Sequence, residues 1–209
     1  PEGYYSIFYL SIFPMIYNTK LVSPANAPKS YEDLLNPRWK GKLALESGGG
    51  GTSWYICMMK KMGEQKGEAF MRELVKQRVT LRPGASLVIT LVTAGEIPLS
   101  ISSAGSQIEA MKDAGAPIEW VRTDPIFTTQ SAVAMSSHAS HPNCAKLFID
   151  WMLSTEGPQL IRDMHVIPAR SDVESDPPRL VKGLNLFPYP PEWADDYERY
   201  SKKMFEIFR

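Results

Sequence analysis

Short apolar runs alternate along this chain with longer stretches in which apolar residues recur every three or four positions. Because these two spacings are typical of strands and of amphipathic helices, the order of elements can be predicted directly. The predicted strands are at 42–46, 79–82, 97–102 and 118–122. The predicted helices are at 52–62, 68–76, 86–94 and 106–114. The last two helices are followed by Gly95 and Gly115, as expected where glycine ends a helix.

The two ends of the chain have a different pattern. The apolar segment 4–17 is too short to cross a bilayer and is interrupted by Pro14, so a buried strand is predicted there. After an extended segment at 123–137, apolar spacing predicts helices at 142–153 and 158–164. A last amphipathic helix is predicted at 194–208, with four apolar side chains on one side: Tyr197, Tyr200, Met204 and Phe208.

Strands separated by helices indicate βαβ units, and hence an α/β fold with a mainly parallel sheet that helices cover on both faces. Ligands of such sheets bind beyond the carboxyl ends of the strands. Three loops follow strands in this chain, at 47–52, 83–86 and 103–105, and all are built from small, hydroxyl and glycine residues. We therefore predict a ligand-binding edge formed by six residues: Gly50, Gly51, Thr52, Ser53, Ser86 and Ser103.

The glycine run within ESGGGGTSWY (46–55) matches neither of the common phosphate-binding motifs, which require a lysine or a further glycine where this chain has Thr52 and Ser53. One interpretation is a helix N-terminus that favours an anion by about 0.3–1 kcal/mol. The other is a flexible turn with Thr52 or Ser53 as an ordinary N-cap. Arg82 either binds an anionic group or is simply solvated, and Trp54 either packs inside or borders a cleft.

Composition narrows the function classes. The chain has 209 residues, with 23 Lys plus Arg and 23 Asp plus Glu, so no overall field favours nucleic acid. The three histidines lack metal-site spacing, no nucleophile motif is present, and the candidate loops offer only Glu46 and Arg82 as titratable groups. We therefore predict neither an enzyme nor a metal or cofactor site. Cys57 and Cys144 fall in separate predicted helices, which indicates two buried free thiols, although a disulfide stays open.

Four segments resemble the iron(III)-type group of extracellular solute-binding proteins of ABC importers: 1–22, 30–45, 84–99 and 141–173. The resemblance covers nearly the whole chain, and the last segment, with STEG and IPAR, is the most specific. It implies a type II periplasmic-binding fold of two lobes. Family members begin with roughly one hundred further residues of the first lobe, a size in keeping with two domains. This chain would then hold the second lobe and the segments that return to the first.

The resemblance implies a division of the chain into four parts. They are a crossover at 1–19, a ligand-binding second lobe at 20–127, a return crossover with first-lobe helices at 128–170, and a tail at 171–209 that packs on the second lobe. The interlobe connections would be 17–19 and 128–133. A chain without the first lobe is expected to bind its solute weakly or not at all.

One departure from the family bears on the ligand. Iron-binding members place adjacent tyrosines after the strand that corresponds to 97–102, where phenolates suit Fe(III), whereas this chain has SSAGS at 102–106. We therefore expect a small anionic solute, such as an organic acid, a phosphorylated compound or a ferric chelate. The implied protein is an extracytoplasmic monomer that delivers its solute to an ABC permease. An enzyme on the same scaffold and a ligand sensor for a membrane receptor remain the alternatives.

Overall fold

The computed structural model describes residues 5–208, and two sheets organise this part of the chain. Residues 1–4 and 209, which belong to the predicted crossover and tail, lie outside the described residues. The strands are β1 (Ser6–Ile12), β2 (Ile16–Asn18), β3 (Leu43–Glu46), β4 (Thr80–Arg82), β5 (Leu99–Ser100), β6 (Ile118–Trp120), β7 (Ile126–Val133), β8 (Ile167–Pro168) and β9 (Leu186–Pro188). The α-helices are α1 (Gly49–Met62), α2 (Glu64–Val75), α3 (Ala85–Ala94), α4 (Gly105–Asp113), α5 (Pro142–Leu153), α6 (Glu156–Asp163) and α7 (Tyr197–Ile207).

The larger sheet has five strands in the order β4-β3-β5-β2-β6. The strand β3 pairs in parallel with β4 and with β5, as βαβ units predict. The strand β2 pairs antiparallel with both β5 and β6. This exception arises because β2 does not follow a crossover helix of the same sheet but enters directly from β1, which belongs to the other sheet.

The smaller sheet has the order β8-β1-β7-β9 and joins distant parts of the chain. The strand β1 is antiparallel to β7 and β8, while β7 is parallel to β9. Ser6 at the start of β1 pairs with Val133 at the end of β7. The opening segment, predicted as one buried strand, is therefore two strands in two sheets, and Tyr4 of that prediction lies outside the described residues.

The main core lies between the larger sheet and α1. Trp54 and Tyr55 of α1 are almost fully buried, with Trp54 1% exposed and its ring 5.9 Å from the ring of Tyr31. Tyr31 in turn stacks on Phe127 of β7 at 5.3 Å. Because full burial of a large aromatic side chain removes so much apolar surface from water, this contact chain is a main source of stability.

Several helix ends differ from those predicted. The helix α1 begins at Gly49 rather than at residue 52, because Gly48 is extended and the glycines after it already have helical geometry. The helix α7 begins at Tyr197, because Pro191–Asp196 forms a 3₁₀ helix instead of the first α-helical turn. Gly95 ends α3 in the left-handed conformation with φ 82°, as predicted.

The C-terminal segment contacts α1 and α2 through ion pairs and aromatic packing. Lys60 of α1 binds Asp196 at 2.7 Å, and the Tyr200 hydroxyl donates to the carboxylate of Glu64. The predicted apolar side of α7 is confirmed, because three of its members are buried and the fourth is half-buried: Tyr200, Met204, Phe208 and Tyr197.

A second contact of the tail involves a buried charge. The guanidinium of Arg179 binds Glu109 of α4 at 2.6 Å and Glu119 of β6 at 3.1 Å. The side chain of Glu109 is 4% exposed and also accepts the Trp120 indole N–H at 2.7 Å. This cluster connects the tail to the far edge of the five-stranded sheet, because β6 is its outermost strand.

The helices α5 and α6 pack against each other but leave apolar side chains exposed. No residue of α5 is buried, and Leu147 and Phe148 are 71% and 55% exposed. On or next to α6, Leu160 and Met164 are 52% and 62% exposed. Such a concentration of exposed large apolar side chains is uncommon on a complete domain surface. None of the helices in the described residues has the length and hydropathy that crossing a membrane requires.

Candidate functional site

The carboxyl ends of three parallel strands lie side by side in the larger sheet. The strand β3 is flanked by β4 on one side and β5 on the other. The Ser47 N–H donates to the Arg82 carbonyl oxygen at 2.9 Å, and the Ile101 N–H donates to the Ala44 carbonyl oxygen at 2.9 Å. The loops after these strands therefore leave from neighbouring points on one edge, which we call the strand-end edge.

The helices that follow these loops also begin close together. Ser86 lies in the first turn of α3, and its hydroxyl is 3.5 Å from Oε1 of Gln107 in the first turn of α4. Both side chains are exposed. Free N–H groups at the start of helices give this part of the strand-end edge a positive electrostatic potential.

The strand-end edge faces the segment that connects β1 to β2. The Ser103 N–H donates to the Pro14 carbonyl oxygen at 3.0 Å. A Cβ placed on Gly50 would lie 3.2 Å from Cε1 of Phe13, and one on Gly105 would lie 2.5 Å from Cγ1 of Ile12. Two of the three candidate loops thus meet the connection between the two sheets, so any movement of this connection would reach those two loops directly.

Glu46 lies among the glycines of the strand-end edge. It is the last residue of β3, it is 8% exposed, and its carboxylate interacts with the backbone amides of Gly50 and Gly51. Burial raises the pKa of Glu46 above its usual range, while the two amides act in the opposite direction by favouring the charged form. The positive end of α1 therefore already holds an anionic group that belongs to this chain.

The Glu46 carboxylate fits beside the glycines because they have no side chains. A Cβ on Gly48 would lie 2.6 Å from one carboxylate oxygen of Glu46, and a Cβ on Gly50 would lie 2.4 Å from the other. A Cβ on Gly51 would lie 1.8 Å from the backbone oxygen of Glu46. Side chains at these positions would displace the carboxylate or the start of α1, so the bare backbone fits Glu46 closely.

Two of the predicted ligand-binding hydroxyls point into the protein rather than to its surface. Thr52 is 1% exposed and Ser103 is 2% exposed. The Ser103 hydroxyl donates to Oγ of Ser100 at 3.0 Å, whereas Thr52 Oγ1 has no hydrogen-bond partner within residues 5–208. A solute on the outside of the strand-end edge would not reach these hydroxyls unless the loops moved.

The other predicted site residues differ in their exposure, and all but Gly51 are at least partly accessible. Ser86 and Arg82 are exposed, Gly50 and Ser53 are half-buried, and Gly51 is buried. The guanidinium of Arg82 donates to the Leu81 carbonyl oxygen at 3.2 Å. The convergence of the loops is thus observed, while the binding of a ligand by these residues stays a prediction.

Other sequence predictions can be assessed here. Trp54 is part of the core and does not border a cleft. Cys57 and Cys144 are separate free thiols as predicted, but Cys144 is exposed, so its predicted burial was wrong. Cys144 is exposed because it lies on α5, which has no buried residue. Burial raises the pKa of the Cys57 thiol to about 12.

Within residues 5–208, no three His, Cys, Asp or Glu side chains are grouped as a metal ion would require.

The contact between the Glu46 carboxylate and the glycines was not predicted from the sequence, in which Glu46 was identified only as a titratable group near the loops. One signal was present, since an acidic residue directly before a glycine run and a helix is placed to interact with the first free amides of that helix. The folding back of the side chain over Gly48 and Gly50 could not be read from spacing alone.

Comparisons with known proteins agree with the fold. The family model described as bacterial extracellular solute-binding protein matches residues 1–190. The Fe(3+)-binding periplasmic protein of Serratia marcescens is 23% identical over 158 residues, which cover 70% of this chain and 46% of that protein. The chain thus spans about half the length of that relative.

Two solved structures are similar over nearly the whole chain. The first is the periplasmic binding protein P5PA, with a TM-score of 0.85 and 24% identity. The match covers 99% of this chain and 69% of the P5PA chain. The second is the periplasmic binding protein AfuA from Actinobacillus pleuropneumoniae, with exogenous fructose-6-phosphate bound. It has a TM-score of 0.81 and 22% identity, and the match covers 98% of this chain and 68% of AfuA. The predicted α/β fold of the type II periplasmic-binding class is therefore confirmed. Since the family model matches most of its length, this chain belongs to the bacterial extracellular solute-binding protein family.

Proposed function

We propose that this protein is the extracytoplasmic solute-binding component of an ABC uptake system and that its strand-end edge binds a small anionic solute. The observation that carries the proposal is that three strand-end loops leave neighbouring points of one edge, and that two of them, at 47–52 and 103–105, contact the connection between the two sheets. In open α/β sheets this is the position at which ligands bind. An organic acid, a phosphorylated compound and a ferric chelate all present the anionic groups that this edge would accept.

Arg82 and Ser86 would supply the exposed polar contacts. Arg82 is the last residue of β4 and Ser86 lies in the first turn of α3. Both are accessible, and the guanidinium of Arg82 is available for bidentate hydrogen bonds to a carboxylate or phosphate. Gly50, Gly51 and Ser53 would add groups from the first turn of α1. Thr52 and Ser103 would support the loops from beneath, because both are buried.

We further propose that residues 20–127 form one lobe of a two-lobed receptor, with crossovers at 17–19 and 128–133. The five-stranded sheet supports this division because four of its five strands lie within 20–127, while the fifth, β2, lies at the proposed crossover. The exposed apolar side chains of α5 and α6 would then pack on the other lobe, and residues 171–209 on the lobe at 20–127. A monomer that closes over its solute would present it to a permease in the membrane.

A thermal-shift screen tests the solute class. The protein, in the longest form that its gene encodes, is heated with carboxylates, sugar phosphates, inorganic phosphate, ferric chelates and thiamin, the last as a cationic comparison. A ligand at one hundred times its Kd stabilises the folded state by about 2.7 kcal/mol, which is readily detected. Stabilisation by one anionic class supports the proposal, and stabilisation only by thiamin would overturn the anionic part.

Arg82→Gln then tests the position of the site. Loss of a charge-assisted contact is expected to weaken binding about tenfold or more, equivalent to about 1.4 kcal/mol. The matched control is Arg72→Gln, which changes an exposed arginine on α2. Equal affinities for both variants would place the solute elsewhere.

A further inference from the structure

The glycine run and Glu46 form a single local structure in which a carboxylate occupies the start of a helix. Both carboxylate oxygens fill space that Cβ atoms on Gly48 and Gly50 would need, at 2.6 and 2.4 Å. The carboxylate therefore lies beside the first turn of α1, next to the amides of Gly50 and Gly51. These are the same amides that an anionic solute would use at the strand-end edge, because the first N–H groups of a helix lack intrahelical partners.

No cation pairs with Glu46 in residues 5–208. From β4, the facing charged residue is Arg82, which is in register with Glu46 but forms no ion pair with it within that range. The β1–β2 connection contributes Phe13, and the first turn of α1 contains no acidic residue. From α7, the Tyr197 hydroxyl lies 4.0 Å from a Cβ placed on Gly49. The loop after β5, at 101–105, carries no charged side chain.

This arrangement determines what happens when a second anion approaches. Two negative groups within a few ångströms in a partly buried site do not both stay charged, because each raises the pKa of the other. Glu46 is only 8% exposed even without a solute, and this burial favours its neutral form. Protonation of Glu46 would remove the repulsion and release the amides of Gly50 and Gly51 for the solute.

We propose that Glu46 controls how tightly an anion binds at the strand-end edge, because its carboxylate lies at the start of α1, beside the amides of Gly50 and Gly51 that an anionic solute group would use, so that anion binding takes up a proton. This inference rests on the proposed function, since it assumes that an anion binds at this edge. It predicts that binding weakens as the pH rises. It also predicts that removal of the Glu46 charge strengthens binding at neutral pH.

Sulfate is a suitable probe, because it remains a dianion throughout the range in which a carboxyl group titrates. The Kd of sulfate for the protein, in the same form as in the thermal-shift screen, is measured by calorimetry. The pH range is about 5 to about 8, above the ordinary pKa of a glutamate. For the natural sequence, we expect affinity to fall by up to about tenfold for each pH unit above the pKa of Glu46. For Glu46→Gln, we expect affinity that changes little with pH and exceeds that of the natural sequence at about pH 8 by at least about tenfold.

Glutamine is nearly the same shape as glutamate and can still accept a hydrogen bond through its amide oxygen, so the loop is expected to fold. The matched control is Glu73→Gln, an exposed glutamate on α2 that pairs with Lys76. Its sulfate affinity should follow that of the natural sequence at every pH. Circular dichroism and melting curves without sulfate verify the fold of both variants.

A second measurement needs no variant. Calorimetry of the natural sequence in two buffers of different ionisation enthalpy gives the number of protons taken up with each sulfate. We expect this number to approach about one at pH values well above the pKa of Glu46. An uptake of zero, or an affinity equal at about pH 5 and about pH 8, overturns the inference.

The remaining outcomes separate this inference from the proposed function. If sulfate binds with the same affinity to Glu46→Gln and to the natural sequence, competition is ruled out while the anion site stands. If sulfate fails to bind at any pH but the screen finds another anionic solute, the inference is overturned alone. If the screen also finds no anionic solute, the inference and the anionic part of the proposed function both fall.

Discussion

The helices α1 and α5 are similar in length and both contain many apolar residues, yet they differ in how much of each is buried. Much of α1 is buried, including Trp54 and Tyr55, and its first turn rests directly on the end of β3. No residue of α5 is buried, and Leu147 is 71% exposed. Apolar spacing in a sequence therefore shows that a helix has a face to cover. It does not show whether the surface that covers this face belongs to the same stretch of chain.

The largest effect is expected from a substitution that disturbs the close contact between the start of α1 and the end of β3. In Gly51→Ala the new Cβ would lie 1.8 Å from the Glu46 backbone oxygen, so α1 must shift away from β3. We expect a loss of about 3 kcal/mol or more in the free energy of unfolding, measured by urea denaturation.

Gly49→Ala is the matched control for this change. Its Cβ would meet nothing closer than the Tyr197 hydroxyl at 4.0 Å, and alanine favours a helix over glycine by about 0.5–1 kcal/mol. Similar losses in the two variants would show that the contact with β3 is not the reason for the glycine.

A smaller effect is expected at the tail, where Arg179→Met leaves Glu109 without its cation. The Glu109 side chain is 4% exposed, and an unpaired buried charge is costly. Because Arg179 itself is 34% exposed, we expect a loss of about 2 kcal/mol in urea denaturation.

Arg170→Met provides the comparison for an exposed pair, since Arg170 and Asp172 are 38% and 56% exposed. Its cost should be clearly smaller than that of Arg179→Met, because solvent screens an exposed pair. A loss for Arg179→Met no greater than this would mean that Glu109 is solvated or finds another partner.

The charge of Glu46 should have a modest effect on stability that depends on pH. Its pKa is raised in the folded protein, so folding favours the protonated form. Its contribution is most favourable below the ordinary pKa of glutamate and is lost as the pH rises through the raised value. We expect Glu46→Gln to raise the Tm at pH 7 by about 1–3 °C, with the difference shrinking toward about pH 4. A lower Tm at pH 7 would indicate that the contact with the Gly50 and Gly51 amides outweighs burial.

The smallest effect is expected on α5, where Leu147→Ser should change stability by less than about 0.5 kcal/mol in the 209-residue chain. The fluorescence of a dye that binds apolar surfaces should fall at the same time. Leu74→Ser on α2, where the leucine is fully buried, should instead cost several kcal/mol, as for other buried leucines. A cost above about 1 kcal/mol for Leu147→Ser would show that this part of α5 is covered after all.

The elements of the fold could be predicted from sequence because they depend on local spacing. The strand at 42–46, the helix end at Gly95 and the buried side of α7 all follow from periodicity and glycine chemistry. The pairing of β2 could not be predicted in this way. Its partners β5 and β6 lie far along the chain, and alternation within three residues contains no information on which strand will be adjacent.

The candidate site was predictable only in outline. The rule that loops after parallel strands share an edge predicts that the loops of Gly50, Ser86 and Ser103 leave the sheet at one edge, and they do, while their binding of a ligand stays a prediction. The direction of each side chain depends on how closely α1 approaches β3, which spacing does not reveal. Thr52 is therefore buried, and Glu46 occupies the helix start that was expected to be free.

The position of β2 also bears on the synthesis of this protein. Ile16 is translated well before its partners Ser100 and Trp120, which leave the ribosome later. At about 5–20 residues per second, the wait is on the order of 5–20 s. During that time the two sides of β2 have unpaired backbone groups and bare apolar side chains, which is the condition that chaperones recognise in nascent chains.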